Sequence, residues 1–121
     1  MHSKRLDLEA ALNRLGGDHE LLDELVLFFL EDAPVLLDQV RDGIRQHNTL
    51  LVERGAHSLK GLAANFGADH AAQTAWIIEQ LGQEGNLAAA SEAIPALEAE
   101  VHALEQALVC YRQSAARSSG L

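Results

Sequence analysis

The chain has 121 residues and a mass of 13.1 kDa, which fits one domain, and its formal net charge of −9 argues against nucleic acid or an anionic membrane as the main partner, since both need a basic surface. Apolar residues make up 48% but aromatic residues only 4%, a balance dominated by Ala and Leu that favours closely packed helices. A lone cysteine, Cys110, excludes an intrachain disulfide and points to a reducing compartment, and the longest apolar run, Leu25 to Leu30, is far too short to span a bilayer.

A short helix is predicted from Asp7 to Leu15, with Leu8, Leu12 and Leu15 on one side and Gly16-Gly17 as its stop. Asp18 is placed to cap a second helix in which Leu22, Leu25, Val26, Phe29, Ala33, Leu37, Val40 and Ile44 recur at three- and four-residue spacing, with a kink at Pro34. Asn48 or Thr49 opens a third helix that Gly67 stops, and Asp69 opens a fourth that ends around the Gly82-to-Gly85 turn. Asn86 caps the last helix, where Ala90, Ile94, Leu97, Val101, Leu104, Leu108 and Tyr111 form a packing seam, bent near Pro95. The helical core therefore spans about 7–112, and the Ser- and Ala-rich tail from Ser114 to Leu121 is expected to fray.

No strand pattern competes. Short links between long amphipathic helices make neighbours antiparallel, so the expected fold is all-α: an up-down four-helix bundle with a short additional N-terminal helix. The seams are used within one bundle, which predicts a monomer, and the absence of an N-terminal signal pattern predicts a cytoplasmic location, including the cytoplasmic end of a membrane-anchored protein.

The third helix carries the chemistry. At about 100° per residue, Val52, Ala56, Leu59, Ala63 and Phe66 point within about 40° of one direction, while His57 lies roughly 140° away on the outer side. Lys60 and Gly61 follow at the offsets that are neighbours on a helix surface. An imidazole with a nucleophilic nitrogen, an ammonium beside it and a missing side chain that opens an approach suit phosphoryl transfer. Gly inside a helix costs roughly 1 kcal/mol relative to Ala, and Gly61 points about 180° from the apolar stripe, which favours partner approach over helix packing.

Helix arithmetic supplies a partner for the ring. Descending from His57 to Phe66 covers about 13 Å and returning from Asp69 to Glu79 about 15 Å, so Glu79 comes level with His57. It borders the apolar stripe near Ala75 and Trp76, where a carboxylate needs a partner. Accepting a hydrogen bond from Nδ1–H of His57 would fix the tautomer and leave Nε2 free. The level is set only to about a helical turn, so Gln80 and Gln83 are rival partners. The other histidines, His2, His19, His47, His70 and His102, show no metal-ligand spacing. Cys110 reads as a small packing residue, and Trp76 and the Phe28-Phe29 pair as core or partly buried packing.

The stretch AHSLKGLAANFGA, from Ala56 to Ala68, resembles the signature of histidine phosphotransfer (HPt) domains. His57, Lys60, Gly61 and Gly67 fit in register, and the similarity extends to LEAALNRLGGD near the start and FLEDAP in the second helix, most like the HPt modules at the C-terminal end of bacterial hybrid sensor kinases. The resemblance implies a relay without a kinase active site. A phosphoryl group passes from a receiver-domain aspartate to phosphoacceptor His57 and on to another receiver, with Lys60 stabilising it and Glu79 at the position where family members carry a Gln or Glu that bonds the histidine. No cofactor is implied for this chain, because the Mg²⁺ belongs to the receiver. Family receivers dock over the histidine helix and its neighbour, which here involves Gly61, Ala64 and Gln39. Two other classes share the bundle: an inert docking scaffold, and a hydrolase using His57 as general base, for which the nearest hydroxyl, Ser58, points about 100° from the ring.

Overall fold

The computed structural model describes residues 7–119, with side chains through Ala115. Five helices follow in chain order: α1 (Leu8–Arg14), α2 (His19–Arg45), α3 (Thr49–Ala64), α4 (Asp69–Glu84) and α5 (Leu87–Ser119). Among the described residues there is no strand, and no helix is long and apolar enough to cross a membrane.

The helix starts are written in short polar side chains. Asp7, Asp18, Asn48 and Asn86 each accept a hydrogen bond from the backbone N–H three residues on, at 3.0, 3.1, 3.1 and 3.2 Å, satisfying donors that the first turn leaves unpaired. Only α4 begins without such a bond. Ala68 stands at its cap, and Asp69 supplies negative charge in the first turn, which favours the positive end of the helix dipole. Gly16, Gly17, Gly67 and Gly85 take left-handed backbone angles after helix ends, a conformation in which other residues are strained. The turn between α2 and α3 gives that position to His47, at φ 56°, while the Asn48 N–H donates back to the Gly43 carbonyl at 2.7 Å.

α2 packs on α3, α3 on α4, α4 on α5, and α5 closes the ring against α2. With links of two to four residues between them, successive helices run antiparallel, giving the expected up-down bundle. α1 contacts α2 and is tied to the segment just past α3 by Asp7 N–H donating to the Phe66 carbonyl at 2.5 Å and by Arg14 donating to the Asn65 carbonyl at 2.9 Å. Phe29 of α2 and Phe66 just past α3 meet edge to face, 5.9 Å apart at 89°, a geometry that suits the ring quadrupoles. Leu22, Val26, Leu59, Ile78, Leu97 and Leu104 complete the middle of the core.

Pro34 and Pro95 lie within α2 and α5, and neither helix ends at its proline. Other expectations differ from the structure. α5 runs on to Ser119, past the expected end near residue 112 and through much of the segment expected to fray; Ala115, Ala116 and Arg117 are strong helix formers and no breaker precedes Gly120. The last two residues of that tail lie outside the described residues. Trp76 is 46% exposed and Phe28 48%, so neither is core. Cys110 is exposed and free, not packed.

Candidate functional site

The centre of α3 places His57 outward, with its side chain 64% exposed, because the opposite face is committed to the core through Val52, Ala56, Leu59 and Ala63. Across the seam, Glu79 of α4 is the buried charged side chain among the core residues. One carboxylate oxygen, Oε2, lies 2.8 Å from His57 Nδ1, and the other, Oε1, accepts a hydrogen bond from Lys60 Nζ at 2.8 Å. Burial pushes the Glu79 carboxyl up. The hydrogen bonds from Lys60 and His57, together with the ammonium and imidazole charges, outweigh it and hold the group below the ordinary glutamate range. An ionised carboxylate can only accept, so Nδ1 carries a proton and, in the neutral ring, Nε2 has the lone pair. The arrangement thus presents one nucleophilic nitrogen to solvent in a fixed orientation.

Of the three candidate partners for the ring, the structure selects Glu79. Gln83 instead donates to Glu53 Oε1 at 3.1 Å, and among the described residues Gln80 makes no bond to the imidazole. Glu53, Arg54, Ser58, His57 and Glu79 line a shallow recess beside the ring. Gly61 and Ala64 are both exposed on the His57 face, and a Cβ added at Gly61 would meet nothing within 4 Å. Gln39 is half-buried and donates to the Leu51 carbonyl at 3.4 Å, bridging α2 and α3.

Two features escaped the sequence reading. The first is a groove between α2 and α3, of about 480 Å³, lined by Asp32, Val35, Leu36, Ser58, Gly61, Leu62 and Asn65. It adjoins the His57 face, and Val35 at its rim is 64% exposed. The seven-residue step from Leu21 to Phe28 to Val35 was the available signal, since these lie on one side of α2 just outside its core stripe. The second is the double engagement of Glu79, whose spacing to Lys60 follows from the same arithmetic that brought it level with His57. Among the described residues, no three His, Cys, Asp or Glu side chains gather as metal ligands.

A four-helix bundle that turns one carboxylate-bound imidazole outward beside a lysine and a bare glycine has the architecture of a phosphorelay carrier. A family model for the Hpt domain matches residues 24–107, and the chain belongs to that family, the histidine phosphotransfer modules of phosphorelays. It is a phosphotransfer intermediate, not a kinase, and receiver domains of response regulators are its partners. Its fold is similar to the crystal structure of histidine-containing phosphotransfer protein B from Pseudomonas aeruginosa, at 24% identity and a TM-score of 0.83 over 93% of this chain and 98% of that one. It is also similar to the HPT domain of a sensor hybrid histidine kinase from Shewanella, at 16% identity and a TM-score of 0.80 over 91% and 95%. No curated protein shows a significant sequence match.

Proposed function

We propose that His57 is the phosphoacceptor of this relay, taking a phosphoryl group on Nε2 from the aspartyl phosphate of one receiver and passing it to the aspartate of another. The observation that carries this reading is the pairing of a ring 64% exposed with a carboxylate almost wholly buried, 2.8 Å from Nδ1. A surface histidine has no need of a buried acid; a nucleophile that must present one nitrogen does. Lys60 is 31% exposed and spends one N–H on Glu79, which leaves two donors for phosphoryl oxygens. At an effective dielectric of 20 a pair of unit charges 4 Å apart attracts by about 4 kcal/mol, and in water by about 1, so Lys60 assists transfer without being indispensable.

The receiver docks over α2 and α3. The groove rimmed by Val35, Leu36 and Leu62 offers apolar contact, and Gly61 and Ala64 keep the approach to His57 low. The receiver brings the Mg²⁺, and this chain needs no cofactor of its own and does not label itself from ATP. The module works as a cytoplasmic monomer, alone or at the cytoplasmic end of a hybrid sensor kinase. The test is incubation with a phosphorylated receiver and Mg²⁺: acid-labile, base-stable label on the wild type, and none on His57→Gln with an unchanged circular dichroism spectrum. Label retained by His57→Gln, or absent from the wild type across a panel of receivers, overturns the assignment.

A further inference from the structure

Glu79 is a carboxylate, and it binds the ring and the lysine at once. We infer that Glu79 is a charge-setting positioning residue: its carboxylate keeps the Nδ1 proton on the phosphorylated His57 ring, so that phosphoryl enters and leaves without any proton transfer, while Lys60 competes for the same carboxylate and moderates its hold. The inference rests on the phosphoacceptor reading of His57 and extends it to the phosphorylated state.

The Nε2 lone pair attacks the phosphorus of the receiver's aspartyl phosphate, the P–Nε2 bond forms, and the P–O bond breaks with its electron pair returning to the aspartate carboxylate. The ring gains phosphoryl and loses nothing, so a ring bearing Nδ1–H and Nε2–P carries a positive charge. Onward transfer reverses the bonds: an aspartate oxygen attacks, P–Nε2 breaks, and the pair returns to Nε2 of a neutral imidazole. If Nδ1 had meanwhile lost its proton, the leaving group would be an imidazolate, far too basic to depart readily. The reactive form is therefore the protonated one, and whatever stabilises its charge at Nδ1 widens the pH range over which the relay turns over.

The position of Glu79 suits it to this. Oε2 stands 2.8 Å from the atom that bears the proton, and the carboxylate is almost wholly buried, where a charge acts at lower effective dielectric than at the surface. A glutamine at position 79 would supply a neutral acceptor for the same bond, fixing the tautomer of the resting ring without opposing the charge of the phosphorylated one. Orientation alone thus leaves the carboxylate unexplained. Other charged groups around the ring come from α3, where Glu53 and Arg54 share the recess and Lys60 binds Oε1, and from α2, where Asp32 lines the adjoining groove. Among the described residues α5 contributes none to the recess lining. Lys60 is the neighbour that shares Glu79, and it opposes the effect.

The test needs no cognate receiver. The protein is phosphorylated with phosphoramidate, the ring nitrogens are followed by ¹⁵N NMR as pH is raised, and loss of label is timed across the same range. The midpoint for loss of the Nδ1 proton in the wild-type phosphoprotein is expected about one pH unit or more above that of free Nε2-phosphohistidine, a tenfold difference in the protonated, labile fraction on the alkaline side. Glu79→Gln should move the midpoint down, and Lys60→Met should move it up. Opposite shifts on neutralising the carboxylate and on removing the lysine that shares it are not what a merely structural role produces. A wild-type midpoint equal to that of the free phosphoamino acid overturns the inference while leaving the phosphoacceptor reading intact, and it does so even if Glu79→Gln fails to fold. A midpoint unmoved in a folded Glu79→Gln protein overturns it equally. Absence of label on His57 overturns both.

Discussion

The two sides of α3 teach different lessons about the same residue type. Where α3 meets its neighbours, glycines are contacts: a Cβ on Gly43 would stand 2.7 Å from Val52 Cγ2 and 2.9 Å from the Val52 backbone nitrogen, one on Gly55 would stand 2.8 Å from Val40 Cγ2, and one on Gly82 would stand 3.2 Å from the Glu53 nitrogen. On the outer face, Gly61 has nothing within 4 Å. The inner glycines let α2 and α4 press close against the helix and so fix where His57 and Glu79 stand. The outer one contributes nothing to packing and weakens the helix. A residue that costs stability and makes no contact is explained by something outside the chain, and the groove beside it, rimmed by Val35 and Leu62, is where a receiver would rest.

This contrast is broken most sharply at the groove. Val35→Asp places a charge at the rim of the groove on which the proposed docking relies, and under that proposal it should cost about 2 kcal/mol in the complex, on the order of thirtyfold in the rate of transfer from a receiver at low concentration. Labelling by phosphoramidate, which needs no docking surface, should stay unchanged, as should the thermal midpoint. Equal loss with both donors would show that the substitution damages the site and not the approach to it.

The inner seam gives the next largest effect. In Gly43→Ala the new methyl meets backbone as well as a β-branched side chain, so the helices must part, at about 1–3 kcal/mol, against about 1 kcal/mol returned by helix propensity. A net loss of up to about 2 kcal/mol is expected in denaturant unfolding. Gly61→Ala carries the propensity gain with no clash and should stabilise the protein by about 0.5–1 kcal/mol while slowing transfer from a receiver. Stabilisation with undiminished transfer would remove the docking explanation for Gly61.

How far these features were legible follows from the same physics. The bundle, its antiparallel order and the capping residues follow from the period of apolar residues and from short polar side chains at helix starts, both local properties of the chain. Glu79 was legible as well, because α3 and α4 rise equally per residue and run antiparallel through a short link, so depth along one converts to depth along the other. The inner glycines were not read as contacts, although Gly43 lies between Val40 and Ile44, Gly55 precedes Ala56, and Gly82 stands one turn beyond Ile78, all along the apolar stripes. A stripe shows that a face is buried, whereas the distance to the facing helix depends on side chains from both. The exposure of Trp76 and Cys110 was missed for a related reason: each borders a stripe, and the helix rotation that places a border residue inside or out is settled by packing over the whole bundle.

The smallest expected effect sharpens the contrast from the side of charge. Because the folded protein holds Glu79 below its ordinary pKa, the unfolded chain takes up this proton more readily on acidification. The contribution of Glu79 to stability is therefore complete above the ordinary glutamate value of 4.5 and is lost as pH falls through the lower folded value. Glu105 works in the opposite sense, since burial pushes its carboxyl up, with His102 pulling it partly back, and acidification relieves the cost of its charge. A wild-type pH profile mixes the two. Subtracting the profile of Glu79→Gln, in which Glu105 is untouched, isolates the Glu79 share, and the difference should shrink steadily as pH drops below about 4.5. A difference that stays constant through that range would mean that Lys60 and His57 do not hold the Glu79 carboxylate more strongly in the folded state than water does in the unfolded one, and the clasp that orients the ring would lose its electrostatic basis.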